Sequence, residues 1–336
     1  MKIALAYDAA ALGGGPDDSD VFDQIECVEA ALCALGHETV RVAFDVDLAR
    51  TAERLRAAAA DLVFNLVESV GGHGRLIHLA PAWFEALGLA YTGVRTEPML
   101  VTSDKVLTKQ RLIESGEATP AWVGTDGRVG GRLELPGRYI VKSVWEDASR
   151  GLGDDAVVTV TTFEALRAEI VRRTSRLGGE AFAEHYVDGR EFNVSLLEID
   201  GRMEVLPVAE MCFVDFPTGK PRIVGERAKW DDASFEATHT VRRFDLPAAD
   251  AALVEVLRAV ARRVAREFGL GGFARIDLRV DSRGHPWILE INPNPCLAPG
   301  AGYLAAAERA AMSPEAVVAA LVRAARPRAA AATSRS

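Results

Sequence analysis

With 336 residues, 49% of them hydrophobic, the chain has enough apolar surface for two or three packed domains, which excludes a disordered polymer. A formal net charge of −9, with no basic stripe interleaved with aromatics, argues against nucleic-acid binding yet allows a local cationic pocket. The apolar runs are short and the opening MKIALAYDAAALGGG enters a strand pattern with no signal-type cleavage region, so a soluble, cytoplasmic protein without membrane association is expected. Cys27, Cys33, Cys212 and Cys296 show no CxxC spacing, which predicts free thiols. Asn193-Val-Ser195 fits a glycosylation sequon and is read as a chance match inside a cytoplasmic strand.

In chain order, IALAY (3–7), a helix that Ser19 caps and Gly36 ends, TVRVAF (39–44) and DLVFNLVE (61–68) predict a small βαβ unit with a mostly parallel sheet. The loops GGGPDDSD (13–20) and ESVGGHGR (68–75) follow strands, where open α/β sheets bind ligands. The pattern changes near Glu97-Pro98, and a helix is predicted from Ser103 with Lys105 and Lys109 on one face. RYIVK (138–142), the loop SVWEDASRGLG (143–153), VVTV (157–160), a helix near 163–176 and AFAEHYV (181–187) read as an α+β module. EFNVSLLEI, an Asp200-Gly201 turn and RMEVLPVA predict a hairpin, followed by an irregular stretch over about 211–245 and an Ala-rich helix over 247–268 ended by Gly269. A second hairpin, FARIDLRV-DSRG-HPWILEIN, precedes a last helix that fades into PRAAAATSRS, a frayed tail.

That second hairpin raises a chemical question, because Glu290 stands within an apolar strand and a buried carboxylate needs a cation or donor in place of water. Pairing 280 with 285 sets 277 opposite 288 and 275 opposite 290, so Arg275, Asp277, Glu290 and Asn292 project to one side. Carboxylate and amide oxygens without His or Cys describe a hard-cation site, Mg²⁺ or Mn²⁺, with phosphate oxygens and water completing the shell. The alternative is an Arg275–Glu290 salt bridge on a solvent-facing sheet. Ile288, expected on the same face, and the rigid Pro-Asn-Pro that follows favour the metal site.

Phosphate signals elsewhere are selective. No GxxxxGK[ST] loop is present, and Gly269-Leu-Gly271-Gly-Phe-Ala274 precedes a strand instead of following one, so neither P-loop nor dinucleotide chemistry is indicated. Lys142, ending a strand ahead of a small-residue loop, is a candidate for holding phosphates together with loop N–H groups. In AEHYVDGREF, Glu184 and Glu191 stand at a strand break where an adenine and a ribose could be read, with surface acids as the alternative.

Together these stretches resemble the ATP-grasp superfamily, and within it the D-alanine-D-alanine ligase group. YTGV (91–94), SDKVLTK (103–109), YIVK…EDASRGLG (139–153), AEHYVDGREF (183–192), AKW (228–230), GFARIDLRVD (272–281) and LEINPNP (289–295) follow the family's order, over residues 61–310. The resemblance implies an ATP-grasp fold, α/β with α+β parts. It has three domains: an N-terminal parallel-sheet preATP-grasp domain (1–97), a central subdomain (98–187) and a C-terminal subdomain with the metal site (188–326), then a flexible tail (327–336). It implies that Lys105, Lys142 and Lys229 contact phosphates with Ser149 and Gly151 of the loop, and that Glu184, His185, Tyr186 and Val187 line the adenine slot. Glu191 would bind ribose, Asp277, Glu290 and Asn292 would hold two Mg²⁺ ions, and Arg275 would stabilise the tetrahedral intermediate. The implied reaction is ADP-forming amide synthesis from a small-molecule carboxylate and an amine through an acyl phosphate, with the 211–245 segment as a lid and a homodimer as the usual assembly.

The amino-acid half departs from that group. Ala148 and Trp230 stand where a serine and a tyrosine are usual, GGGPDDSD offers Asp17, Asp18 and Asp20 in place of Ser-x-Glu, and Asn65-Leu66 replaces a histidine-glycine pair. Glu68, His73, Arg75, Trp230 and Asn294 are therefore substrate candidates, and Cys296 is read as a small pocket-wall residue. The expected enzyme joins amino acids, or a small acid and an amino acid, in a specialised pathway. D-alanine-D-alanine ligase itself, a superfamily kinase or thioester-forming enzyme, and a degenerate ATP-binding regulatory protein remain as alternatives.

Overall fold

A computed structural model describes residues 1–13, 18–146, 149 and 151–325. Asp17, Ala148, the side chains of Asp18 and Ser19, and the tail 327–336 singled out above lie outside the described residues.

β1 (Lys2–Asp8) leads through α1 (Asp18–Ala34) to β2 (Glu38–Phe44), then through α2 (Leu48–Ala58) to β3 (Leu62–Asn65). The three strands are parallel in the order β2-β1-β3. Both faces of β1 are covered, as its unbroken apolar run requires. Ile3, Leu5 and Tyr7 pack with Ile25, Val28 and Leu32 of α1, whereas Ala4 and Ala6 face Phe44, Leu55 and Phe84.

α3 (Leu79–Ala86), α4 (Thr96–Ser103) and α5 (Lys105–Glu114) follow. The helix expected from Ser103 begins instead at Lys105, because the Asp104 carboxylate accepts the N–H groups of Val106 and Leu107 at 2.9 Å each and so caps α5, while Ser103 ends α4. β4 (Trp122–Gly124), β5 (Val129–Gly130), β6 (Gly137–Ser143) and β7 (Val157–Val160), then α6 (Phe163–Thr174) and β8 (Ala181–His185), build a sheet ordered β5-β4-β8-β6-β7.

The third sheet gathers β9 (Gly189–Ile199), β10 (Arg202–Val205) and β11 (Ala209–Phe213). After α7 (Glu226–Trp230) and α8 (Phe235–His239), it adds β12 (Thr240–Arg243) and, beyond α9 (Ala251–Glu267), β13 (Phe273–Asp281) and β14 (Pro286–Asn292). Its order is β12-β11-β9-β13-β14, with β10 also on β9. The β9–β10 hairpin turns on Asp200 and Gly201, both at positive φ (51° and 79°), as a tight primed turn demands. α9 buries Leu257, Val260, Ala261, Val264 and Ala265, a helical stripe against Phe192, Val194, Ile276, Leu278 and Ile288.

The β13–β14 register differs from the expected one. The Asp281 N–H donates to His285 O at 3.0 Å, Val280 faces Pro286, and a bulge beside Asp277 skips Leu289. Asp277 therefore lies opposite Glu290, and Arg275 opposite Asn292. The four polar residues still share one face, but Ile288 pairs with Leu278 and joins the core on the other face, which corrects its expected place beside Glu290.

Finally α10 (Gly302–Arg309) and α11 (Pro314–Ala324) return to the first sheet, where Tyr303, Leu304, Val317 and Leu321 share one core with Ile3, Leu5 and Ile25. No helix of the described residues is long and apolar enough to cross a membrane. The four cysteines are free thiols.

Candidate active site

One buried carboxylate organises the sheet that carries Lys142. Glu184, on β8, sits two residues beyond Phe182, the partner of Lys142 on β6, and so on the same face, and its Oε1 is 2.6 Å from Lys142 Nζ. Its Oε2 pairs with Lys109 Nζ, which also donates to Thr119 Oγ1 at 2.8 Å. Thr119 in turn donates to the Ile288 carbonyl at 2.8 Å, tying this cluster to β14. Burial pulls the Lys109 ammonium below the lysine range and would raise Glu184, yet the two lysines hold the Glu184 carboxyl below its usual range. Two ammonium groups share the one carboxylate of Glu184, and Lys105, one helical turn before Lys109, brings a third cation to the cluster while donating to Glu146 O at 2.9 Å. Such a cluster suits a polyphosphate. Glu184 is thus engaged by lysines, and the role of Lys109 was visible in the sequence only as a shared helix face.

The other residues of AEHYVDGREF meet a side chain that sequence reasoning did not single out. Arg279 Nε and Nη2 donate to Glu191 Oε2 at 3.1 and 2.9 Å, and Nη1 donates to Val187 O at 2.8 Å. Its guanidinium lies over Tyr186, 5.1 Å from the ring centroid, with Arg138 4.5 Å from the same ring. His185 meets Tyr139 edge-on. Alternation along β13 from Asp277 was the available signal for Arg279.

The segment between β11 and β12 lies over this site. Ser149 Oγ donates to Val224 O at 2.7 Å, Gly151 N–H to Glu226 Oε2 at 3.0 Å, and Glu226 N–H to Leu152 O at 3.0 Å. Ser149 and Gly151, expected to meet phosphate, are thereby turned to this segment. A Cβ at Gly225 would collide with Leu152 O, so only glycine permits this approach. Lys229, exposed on α7, and Trp230 stand in the same segment.

On the hairpin, Arg275 Nε and Nη2 each donate to Asp277 at 2.8 Å, and Asn193 Nδ2 donates to Asp277 Oδ1 at 2.7 Å. Asn193, dismissed as a chance sequon, belongs to the site because β9 sets it opposite Asp277. Burial pushes the Asp277 carboxyl up despite Arg275. Burial would do the same to Glu290, but Lys105, Lys142, Lys229 and Arg275 together hold it at about 2. Two facing carboxylates, Asp277 buried and Glu290 half-buried, and the Asn292 amide form an all-oxygen donor set that fits a hard divalent cation. To ligate one, Asp277 would exchange Arg275 and Asn193 for it.

Toward the first sheet, Gln24 Nε2 donates to Glu68 Oε1 at 3.0 Å, and Gln24 Oε1 accepts the Leu297 N–H at 2.7 Å. Gln24, also missed, so fixes Glu68 against the 294–298 turn. Asn294 Nδ2 donates to Val67 O at 3.0 Å, and its N–H to Asn292 Oδ1 at 3.0 Å, linking the metal strand to this wall. Burial, then Glu68 and Asp20, push the Cys296 thiol up to about 12, so it is a protonated wall residue. His73 and Arg75 are exposed on a loop whose N–H groups at Gly71 and Gly72 donate to Asp8 at 3.0 and 2.9 Å. A Cβ at Gly74 would stand 2.6 Å from Trp145 O, so this loop abuts the one after β6.

The family model described as D-ala D-ala ligase C-terminus matches residues 126–323. The chain belongs to the D-alanine-D-alanine ligase family. Among relatives of this ligase, a D-alanine–D-alanine ligase of Gluconobacter oxydans is 32% identical over 308 residues, 89% of this chain and 90% of its own. A Sinorhizobium fredii protein, y4sG, whose name carries no function, is 32% identical over 298 residues, 86% of this chain and 83% of its own. In fold, the ligase is similar to the Bacillus anthracis D-alanine–D-alanine ligase solved with ATP, at a TM-score of 0.70 and 17% identity over 97% of this chain and 96% of that one. It is an ATP-grasp, ADP-forming carboxylate–amine ligase, of a family that uses ATP and Mg²⁺.

Proposed function

We propose that this ligase activates a small carboxylate as an acyl phosphate and joins it to an amino-acid-type acceptor, in a pair other than D-alanine with D-alanine. The observation that carries this is the convergence of Lys105, Lys142, Lys229 and Arg275 on Glu290, where a transferring phosphoryl group finds its positive field, beside a substrate wall built from Gln24, Glu68, Asn294 and Cys296. A carboxylate cannot expel oxide, so its oxygen first attacks the γ-phosphorus and ADP leaves. The amine nitrogen then attacks the acyl carbon, inorganic phosphate departs and the nitrogen gives up a proton. Charge accumulates on oxygen in both steps, and Arg275 and the lysines stabilise it electrostatically.

In this reading Asp277, Glu290 and Asn292 hold two Mg²⁺ ions, with Mn²⁺ able to replace them, and the metal supplies charge neutralisation at the phosphates. Lys105, Lys109 and Lys142 grip phosphates, Tyr186 and Val187 line the base slot, Glu191 takes ribose, and the 211–245 segment with Lys229 and Trp230 excludes water. Glu68, His73 and Arg75 face the substrates. The domain boundaries are residues 97 and 187, and the enzyme is a cytoplasmic homodimer.

The test is ADP release from Mg-ATP with D- and L-amino acids, singly and in pairs, with product masses recorded. A product other than D-alanyl-D-alanine is expected. The second reading, D-alanine-D-alanine ligase itself, is favoured by the Gluconobacter relative and would be established by that dipeptide alone. Glu290→Gln should abolish turnover; release unaltered by it overturns the enzymatic role of this site.

A further inference from the structure

Arg279 is 3% exposed, and a guanidinium buried so far must find acceptors within the protein. They come from three separate stretches of chain. β9 sets Glu191 directly opposite Arg279, and Nε and Nη2 both donate to Glu191 Oε2, at 3.1 and 2.9 Å. Nη1 donates to Val187 O at 2.8 Å, at the proposed domain boundary, and Nη2 donates again to Arg222 O within the 211–245 segment. Tyr186, whose ring centroid lies 5.1 Å from the guanidinium, closes the cluster, because its hydroxyl accepts the Arg222 N–H at 3.0 Å. Ile223 packs beside it with Ile140 and Ala156.

This arrangement does more than hold the fold. A guanidinium commonly takes both oxygens of a carboxylate, yet here both donations fall on Oε2, and Oε1 is not engaged by Arg279. Residues two apart on β13 point to one side, and facing residues share it, so Glu191 stands on the face of Arg275 and Asp277. The acid is thus fixed on the face of the site with one oxygen outside the ion pair. The nitrogen that holds it, Nη2, also holds Arg222 O, so any shift of Glu191 is felt at the 211–245 segment. A buried ion pair is often no more stabilising than an apolar pair of the same volume; what this one supplies is geometry.

We propose that Arg279 is a positioning residue of the nucleotide site: it holds Glu191 with one oxygen presented to the ribose and, through Arg222 O, couples sugar binding to the order of the 211–245 segment. This rests on the reading of Glu191 as the ribose ligand and adds the group that aims it. Coupling is reciprocal, so ordering of the segment tightens the grip on the sugar as much as the sugar orders the segment.

The experiment titrates Mg-ADP, and Mg-dideoxy-ADP lacking both ribose hydroxyls, into wild type, Arg279→Met, Arg279→Lys and Glu191→Gln by calorimetry. Trypsin cleavage after Arg222, Arg227 and Lys229 is followed alongside, with and without Mg-ADP. Wild type should bind ADP about 10- to 10²-fold more tightly than its dideoxy analogue, the scale of a hydrogen bond to a charged group. Mg-ADP should also slow its cleavage. Arg279→Met should bring the affinity ratio close to one and abolish the protection. A merely structural role would weaken both nucleotides alike and leave their ratio intact. Arg279→Lys, whose ammonium reaches Glu191 but not both carbonyls, should keep most of the ratio and lose the protection, which carries the test should Arg279→Met fail to fold. A ratio kept by folded Arg279→Met, or protection kept by Arg279→Lys, overturns the inference. Glu191→Gln tells that failure from failure of the underlying reading: a ratio it leaves unchanged means that the ribose is read elsewhere, and the inference falls with it.

Discussion

Glu184 holds one negative charge between two ammonium groups, and Lys109 is 1% exposed, so neither partner can retreat to water. Glu184→Gln should therefore destabilise the protein by about 3–5 kcal/mol, as breaking a buried ion pair does, read from urea unfolding. Adding Lys109→Met should recover much of that loss, because the stranded charge goes with it; if the double variant is no more stable than the single one, the pair is not the cause. The oxygen trio of the hairpin was legible in the sequence because carboxylates on an apolar strand are anomalous. Arg279 and Asn193 were not, since their roles depend on which β9 residue each β13 residue meets, and register across 84 to 88 residues is a tertiary fact.

At the level of elements, the 211–245 segment proposed as a lid meets the glycine-bearing loop through the bonds from Gly151 N–H to Glu226 and from Ser149 Oγ to Val224 O. Glu226→Ala should loosen that latch, raising the ATP KM several-fold and increasing ADP release without an acceptor, as water reaches the acyl phosphate. Gly225→Ala should act more severely, because its Cβ meets a backbone carbonyl that cannot move aside. Coupled and uncoupled ADP release, measured side by side, check both; unchanged coupling in both variants would remove the lid from the mechanism. The lid read as irregular in the sequence because α7 and α8 are five residues each, too short for a helical period to show. The β13–β14 bulge was equally hidden, as an inserted residue leaves no compositional trace.

Across the whole molecule, Glu210 joins Arg190 of β9 to Arg243 of β12, and Arg190 reaches on to Asp250 ahead of α9. Burial alone would raise the Glu210 carboxyl, but Arg190 and Arg243 hold it below the carboxylate range; Arg190 lowers Asp250 likewise. Groups whose folded-state pKa is depressed give stability that is full above their unfolded pKa and lost as pH falls through the folded value. Stability should thus fall below about pH 4.5. Glu210→Gln should lower the plateau and flatten that acid limb, which urea titrations from about pH 3 to pH 6 would show, an unchanged limb excluding the network as its source. The βαβ opening, both hairpins and α9 were legible because each follows from local periodicity and turn chemistry, whereas the joining of distant segments into one core was not.

That joining has a temporal side. Leu5 and Ile25, near the start of the chain, share their core with Val317 and Leu321 near its end. As the chain leaves the ribosome, the first sheet to be made is the last whose inner face can close. Until α11 emerges that face stays open to chaperones and to aggregation, and a chain stopped before Pro314 should accumulate as insoluble protein even with every side chain of the candidate active site already synthesised.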